Sequence, residues 1–225
     1  MSINPFTINI SDNVLKDLQK RLALTRWPDE IPGSGWDYGT NLGYLKELVT
    51  YWQNEYDWKA QERKLNELKH FTSEVKGLNI HFIHEKSENP NAMPIVVTHG
   101  WPSTFFEMHK IIPRLTNPAS YGGDPSDSFD VIAPSLPGYG FSEASKTPGM
   151  DVKSVADIWD ELITKELGYP KYAVHGGDIG AGVTARLGHR HYENIHGIHL
   201  TSVTRPTPYL GENAEPLTEA EKAHL

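Results

Sequence analysis

Tyr172-Ala173-Val174-His175-Gly176-Gly177-Asp178-Ile179-Gly180-Ala181-Gly182-Val183 is the stretch whose reading decides the fold. The run 172–175 is short and apolar, of the kind buried on both faces of a parallel sheet. It passes through glycines into Val183, Ala185 and Leu187, which fall on one helical face. A strand therefore turns sharply into a helix, with Asp178 at the apex. Such a turn lifts its central side chain above the end of the sheet. Only small residues two positions to either side, here Gly176 and Gly180, let the backbone pass.

The same texture extends outward. Strands are expected at 71–75, 78–84, 94–98, 129–133, 172–175 and 195–200, the first two joined tightly through Lys76-Gly77. Between them, 103–115 carries Phe105, Phe106, Met108, Ile111, Ile112 and Leu115 at helical spacing, and 154–167 carries Val155, Ile158, Trp159, Leu162 and Ile163. Strand-helix alternation predicts an α/β fold with a doubly wound, mostly parallel sheet, whose ligands bind at the carboxyl ends of the strands. Before residue 70 the pattern is a helical meander. Val14, Leu15, Leu18 and Leu22 mark a helix over 11–24, with Ser11 or Asp12 placed to cap it. Trp27-Pro28, Pro32, Gly33, Gly35 and Gly39 break the pattern. A second helix carries Leu45, Leu48, Val49 and Trp52, and a third starts at Asp57 and carries Leu65 and Leu68.

The 225 residues, 38% hydrophobic and 22% charged, are ordinary for a soluble globular chain with a sizeable core. A formal charge of -8 gives no electrostatic reason to expect nucleic acid or an anionic membrane as partner, and favours a neutral or modestly polar ligand. Cysteine is absent. Disulfides, thiolate metal sites and a thiol nucleophile are thereby excluded, which suits a reducing compartment, and a cytoplasmic location is expected. The first ten residues contain neither a basic start nor a long apolar run, so no signal peptide or membrane anchor is expected.

Asp178 by itself is open to two roles. A carboxylate at a helix N-terminus is favoured in its ionised form and can attack an activated sp³ carbon; aspartate is also a preferred helix N-cap. Gly180-Ala181-Gly182-Val183-Thr184-Ala185 further fits a relaxed dinucleotide-binding fingerprint. That is the weaker reading, since it sets a carboxylate beside a pyrophosphate and comes late in the sheet. A second loop favours the nucleophile. The strand 94–98 ends in His99-Gly100-Trp101-Pro102, and in a fold with such an elbow this loop supplies one backbone N–H of an oxyanion hole, the other coming from the residue after the nucleophile. The expected donors are Trp101 and Ile179. Ala133-Pro134-Ser135-Leu136-Pro137-Gly138-Tyr139-Gly140-Phe141-Ser142 reads, alone, as a Pro/Gly loop.

Taken together, Leu22-Ala23-Leu24-Thr25-Arg26-Trp27-Pro28, the segment 44–58, the His99-Gly100-Trp101-Pro102 loop, the loop 135–142 and Gly176-Gly177-Asp178-Ile179-Gly180 resemble the epoxide hydrolases of the microsomal type, in the α/β-hydrolase superfamily. The resemblance implies an α/β-hydrolase fold, a lipophilic epoxide as substrate, no cofactor, and a detoxifying activity. It implies that Asp178 opens the epoxide to an alkyl-enzyme ester, and that Trp101 with Phe105 lines the substrate pocket. His99, Gly100, Pro102, Gly176, Gly177 and Gly180 then shape the elbow and its facing loop. A homo-oligomer is left open for a full-length form. Haloalkane dehalogenases share the aspartate but often place tryptophan after it to hold the halide; Ile179 lacks that donor. A non-catalytic binding or assembly module is the third alternative.

The resemblance also implies that a lid carrying proton-donating tyrosines, a charge-relay acid and a base histidine follow the region where this sequence stops. The expected division is 1–70 for the lead-in, 71–209 for the first part of the core and 210–225 for a truncated lid, with 216–225 as its opening helix. No sustained turnover is expected of such a fragment. Among residues present, His175 reads as packing at its strand end and His99 as ordering its loop. His189, His191, His196 and His199 are close in sequence but lack a supporting carboxylate pattern, so no metal is expected. Tyr139 and Tyr209 read as packing or surface residues.

Overall fold

A computed structural model of the chain describes residues 3–202 and 216–222. The lead-in forms three helices, α1 (Asp12–Ala23), α2 (Leu42–Asn54) and α3 (Trp58–Leu65). Asn41 and Asp57 cap α2 and α3 by accepting from Tyr44 N–H and Ala60 N–H, as their short acceptor side chains favour. Ahead of α1 the chain is extended and is fastened to α3 by side chains. Asn66 bonds both the N–H and the carbonyl of Ile8 at 2.9 Å, Glu62 accepts from Ile10 N–H at 2.7 Å, and Lys59 reaches the Ile10 carbonyl at 2.6 Å. Those bonds bring Ile8 into the core at 1% exposure.

The core is a seven-stranded sheet built from β1 (Asn4–Phe6), β2 (His70–Val75), β3 (Leu78–Glu85), β4 (Met93–Thr98), β5 (Phe129–Pro134), β6 (Tyr172–Gly176) and β7 (Ile195–Leu200), in the order β1-β2-β3-β5-β4-β6-β7. All six expected strands are present. β1 is an addition, since the lead-in contributes an edge strand antiparallel to β2, with Phe6 opposite His70. Three residues carry too little alternation to be read as a strand. The first three strands join antiparallel through β3 and β5, and β5, β4, β6 and β7 run parallel. The sheet is thus mixed, with its parallel half carrying the strand ends that matter below.

Helices cover both faces. On one, α5 (Val152–Glu161) and the π-helical turn Leu162–Glu166 bury Ile158, Trp159, Leu162 and Ile163, next to α6 (Ile179–Arg190) with Val183 and Leu187. Trp159 donates its indole N–H to the Thr98 hydroxyl at 3.1 Å, tying α5 to the end of β4. On the other face, Phe105, Met108 and Ile112 cover Val97, Val131 and Ala133. The expected helix 103–115 is broken there into a 3-10 turn, Phe105–Met108, and α4 (Ile112–Thr116). Pro113 is the cause: it has no N–H to donate back along a continuous helix, and it sits in the first turn of a new one. Of the expected lid helix, the described residues contain α7 (Glu219–Lys222); 210–215 and 223–225 lie outside them, as does Tyr209.

Candidate active site

The turn from β6 into α6 is held by close backbone contact. A Cβ on Gly176 would lie 2.2 Å from the Gly180 carbonyl oxygen, and one on Gly180 would lie 2.1 Å from the Thr98 carbonyl oxygen. No side chain fits at either place. The turn forces Asp178 to φ 51 and ψ -122, a conformation that a residue with a Cβ rarely adopts.

Asp178 occupies the N-cap position of α6, yet its side chain makes no capping bond. Its Oδ1 instead accepts from Trp101 N–H at 2.8 Å, across 77 residues of sequence. The N–H groups of Trp101 first, and of Ile179 second, hold the exposed carboxyl below the usual carboxylate range. The two backbone donors expected to form an oxyanion hole thus converge on one carboxylate. Gly100 faces the same group, because a Cβ there would stand 2.6 Å from Asp178 Cβ and 2.8 Å from Oδ1.

His99 fixes the facing loop. Leu136 N–H donates to His99 Nε2 at 3.1 Å, so the ring carries its hydrogen on Nδ1 and donates it to the Gly100 carbonyl at 2.9 Å. This links the loop 99–102, which contains the cis bond Trp101-Pro102, to the loop after β5. Tyr139 packs edge-on against the His99 ring at 5.6 Å.

Gly100, Trp101, Pro102, Gly177 and Asp178 line an open cleft of about 320 Å³, together with Ser103, Glu107 and Thr201. Trp101 is 66% exposed at its rim. Phe105 is placed elsewhere. It is 5% exposed, packed edge-on against His70 and His81, and it borders a separate groove of about 840 Å³ with Trp58, Leu65, Leu68 and Phe141. The sequence reading missed Glu107 and Thr201, which carry no motif; their place depends on the 3-10 turn and on the end of β7.

Three of the remaining candidate histidines have partners. His175 Nδ1 lies 2.8 Å from His199 Nδ1 on the neighbouring strand, and His191 bonds Asp157 at 2.8 Å with Asp160 at 3.3 Å. Among the described residues no three potential metal ligands converge. No imidazole lines the cleft at Asp178 among them, and no helix is long and apolar enough to cross a membrane.

Comparison with known proteins gives two family matches: the model for the epoxide hydrolase N terminus over residues 3–108, and that for the alpha/beta hydrolase fold over residues 93–222. The chain is 40% identical to epoxide hydrolase 1 of Oryctolagus cuniculus over 203 residues, 88% of this chain and 44% of that protein. It is 38% identical to juvenile hormone epoxide hydrolase 2 of Ctenocephalides felis over 201 residues, covering 88% of this chain and 42% of the relative. The crystal structure of juvenile hormone epoxide hydrolase from Bombyx mori superposes with a TM-score of 0.80 at 35% identity, over 88% of this chain and 52% of that one. The structure of Aspergillus niger epoxide hydrolase gives 0.79 at 33% identity, over 99% and 58%. The chain spans less than half the length of the first two relatives.

Proposed function

The chain belongs to the alpha/beta hydrolase fold family, and on that premise we propose that it is the nucleophile-bearing part of an epoxide hydrolase. The observation that carries this is the Asp178 carboxylate at the apex of the elbow, uninvolved in capping and held through one oxygen by Trp101 N–H. Pinning Oδ1 leaves Oδ2 as the attacking atom. Oδ2 bonds to an epoxide carbon, that carbon's bond to the ring oxygen breaks, and the ring oxygen takes up a proton. The product is an ester whose carbonyl oxygen is Oδ1, already within reach of the Trp101 and Ile179 N–H groups. Water then adds to the ester carbonyl carbon, negative charge builds on Oδ1, and those two donors stabilise it. Collapse releases the vicinal diol and restores the carboxylate with one oxygen from water.

The low pKa of Asp178 supports this role, because an ionised carboxylate is the attacking species. The cleft, with Trp101 on its rim, accepts a lipophilic substrate; its polar wall holds Glu107, Ser103 and Thr201. Ile179 has no side-chain donor for a departing halide, which favours the epoxide over a haloalkane. Because no imidazole among the described residues lines the cleft, the chain is expected to capture an epoxide without sustained diol release. Mass spectrometry after incubation with a lipophilic epoxide should show one added substrate mass on the peptide carrying Asp178, absent in Asp178→Asn. An adduct that persists in Asp178→Asn, or none in either protein, removes the proposal.

A further inference from the structure

Three buried histidines lie outside the cleft and are nevertheless connected to it. His70 Nδ1 on β2 is 2.9 Å from His81 Nε2 on β3, and the two rings stack at 5.2 Å. His70 Nε2 is 2.8 Å from the Leu65 carbonyl at the end of α3, and His81 Nδ1 is 2.9 Å from the Ser135 hydroxyl just after β5. Leu136, the next residue, gives its N–H to His99. His70, His81 and His99 are 3%, 0% and 1% exposed, and Ser135 is 0% exposed.

Both ends of this series set its direction. A carbonyl only accepts, so His70 Nε2 carries the hydrogen given to Leu65, and Nδ1 of the neutral ring accepts. His81 must then donate from Nε2 and accept at Nδ1, which makes Ser135 the donor. At the other end Leu136 N–H only donates, so His99 accepts at Nε2 and donates from Nδ1 to the Gly100 carbonyl. That carbonyl and Trp101 N–H belong to one trans peptide, in which they point opposite ways. The pull of His99 on the oxygen therefore aims the hydrogen at Asp178.

We propose that His81, with His70 and Ser135, is a positioning group for Asp178: it anchors residues 135–136 to the sheet and the lead-in, which holds His99 in one tautomer and the Gly100–Trp101 peptide in one orientation. Its meaning for catalysis rests on Asp178 being the nucleophile. Ser142 closes the anchor, giving its hydroxyl to the Ser135 carbonyl at 2.7 Å while accepting from His81 N–H at 3.0 Å. The rings of Phe6, Phe105 and Phe141 surround His81 at 5.1, 5.1 and 5.3 Å. Burial pushes His81 down to about 3 and holds His70 and His99 below the usual imidazole range. The charges that bear on them are Glu85 on His70 and Glu107 on His99, while His81 feels only His70. All three rings are neutral near pH 7, and none can exchange donor for acceptor without breaking a bond.

Long-range proton-nitrogen correlation on the histidine-labelled 225-residue chain reads the tautomers directly. His70 and His81 should appear with hydrogen on Nε2 and His99 with hydrogen on Nδ1 at about pH 7 to 8, above the ordinary imidazole range. The carboxyl carbon of Asp178 gives a second readout. In Ser135→Ala and His81→Phe its titration should rise toward the ordinary carboxylate range, and in His196→Gln, an exposed control on β7, it should stay put. The opposite tautomer or a mixture at any of the three wild-type rings overturns the proposal. So does an Asp178 titration unmoved in whichever of the two variants folds. Neither readout needs an epoxide, so a chain with these tautomers and titrations that captures none supports the positioning proposal while removing the nucleophile reading.

Discussion

At the scale of single residues, two glycines near Asp178 look alike in sequence and should fail differently. A Cβ on Gly180 meets backbone, the Thr98 carbonyl at 2.1 Å, and the strand and helix cannot separate without losing the turn. Gly180→Ala should destabilise the fold by more than the roughly 1–3 kcal/mol usual for an overpacked core, read from urea melts. A Cβ on Gly100 meets a side chain, that of Asp178 at 2.6 Å. Gly100→Ala should melt close to the parent while slowing epoxide capture on the order of 100-fold, the scale of a displacement near 1 Å in a reacting group. Equal effects of the two changes on stability would contradict this division.

At the scale of elements, the end of β4 depends on α5 as well as on its neighbouring strands. Thr98 and Trp159 are both 0% exposed and joined by one hydrogen bond. Thr98→Val leaves the indole N–H without its acceptor, and an equilibrium unfolding measurement should show a loss of about 1–3 kcal/mol. The pairing of β2 with β3 should show a pH dependence of definite sign. His81 has a folded-state pKa lowered from 6.5 to about 3, so the unfolded chain binds more protons between those values. The stability contributed by the neutral ring is full above pH 6.5 and is lost as pH falls toward 3. Melting temperature should fall across that window, and His81→Phe should flatten its upper part, above the range in which carboxylates titrate. A variant as steep as the parent there would show that the acid sensitivity resides elsewhere.

At the scale of the whole molecule, apolar surface is concentrated in the lead-in. Neither α1 nor α2 buries a residue, and Trp36, Leu48, Tyr51 and Trp52 are 60%, 44%, 47% and 42% exposed. At the far end, β7 has one strand neighbour among the described residues and exposes Ile198 at 49%. Patches and edges of this kind promote association. Light scattering on the 225-residue chain should show a mass that rises with concentration, and Tyr51→Glu with Trp52→Glu should reduce that rise. A constant monomeric mass for the parent chain would show that these surfaces do not drive association under those conditions.

What the sequence determined by itself was everything written in contiguous residues. The alternation of apolar runs placed six of the seven strands, and the small residues around Asp178 marked a turn whose steric need the backbone contacts at Gly176 and Gly180 display. The His99-Gly100-Trp101-Pro102 loop was legible because its position after a strand is local information. Tertiary structure decided what depends on pairing across the chain. It drew Asn4–Phe6 into the sheet, set β5 between β3 and β4, and divided the expected helix 103–115 about Pro113. It also turned Phe105 toward His70 and His81 rather than into the cleft, and joined Trp101 N–H to Asp178. Periodicity and side-chain size act over a few residues and can be read along the chain. Strand order, side-chain direction and hydrogen-bond partners arise when segments tens of residues apart are packed together, and only the folded molecule contains them.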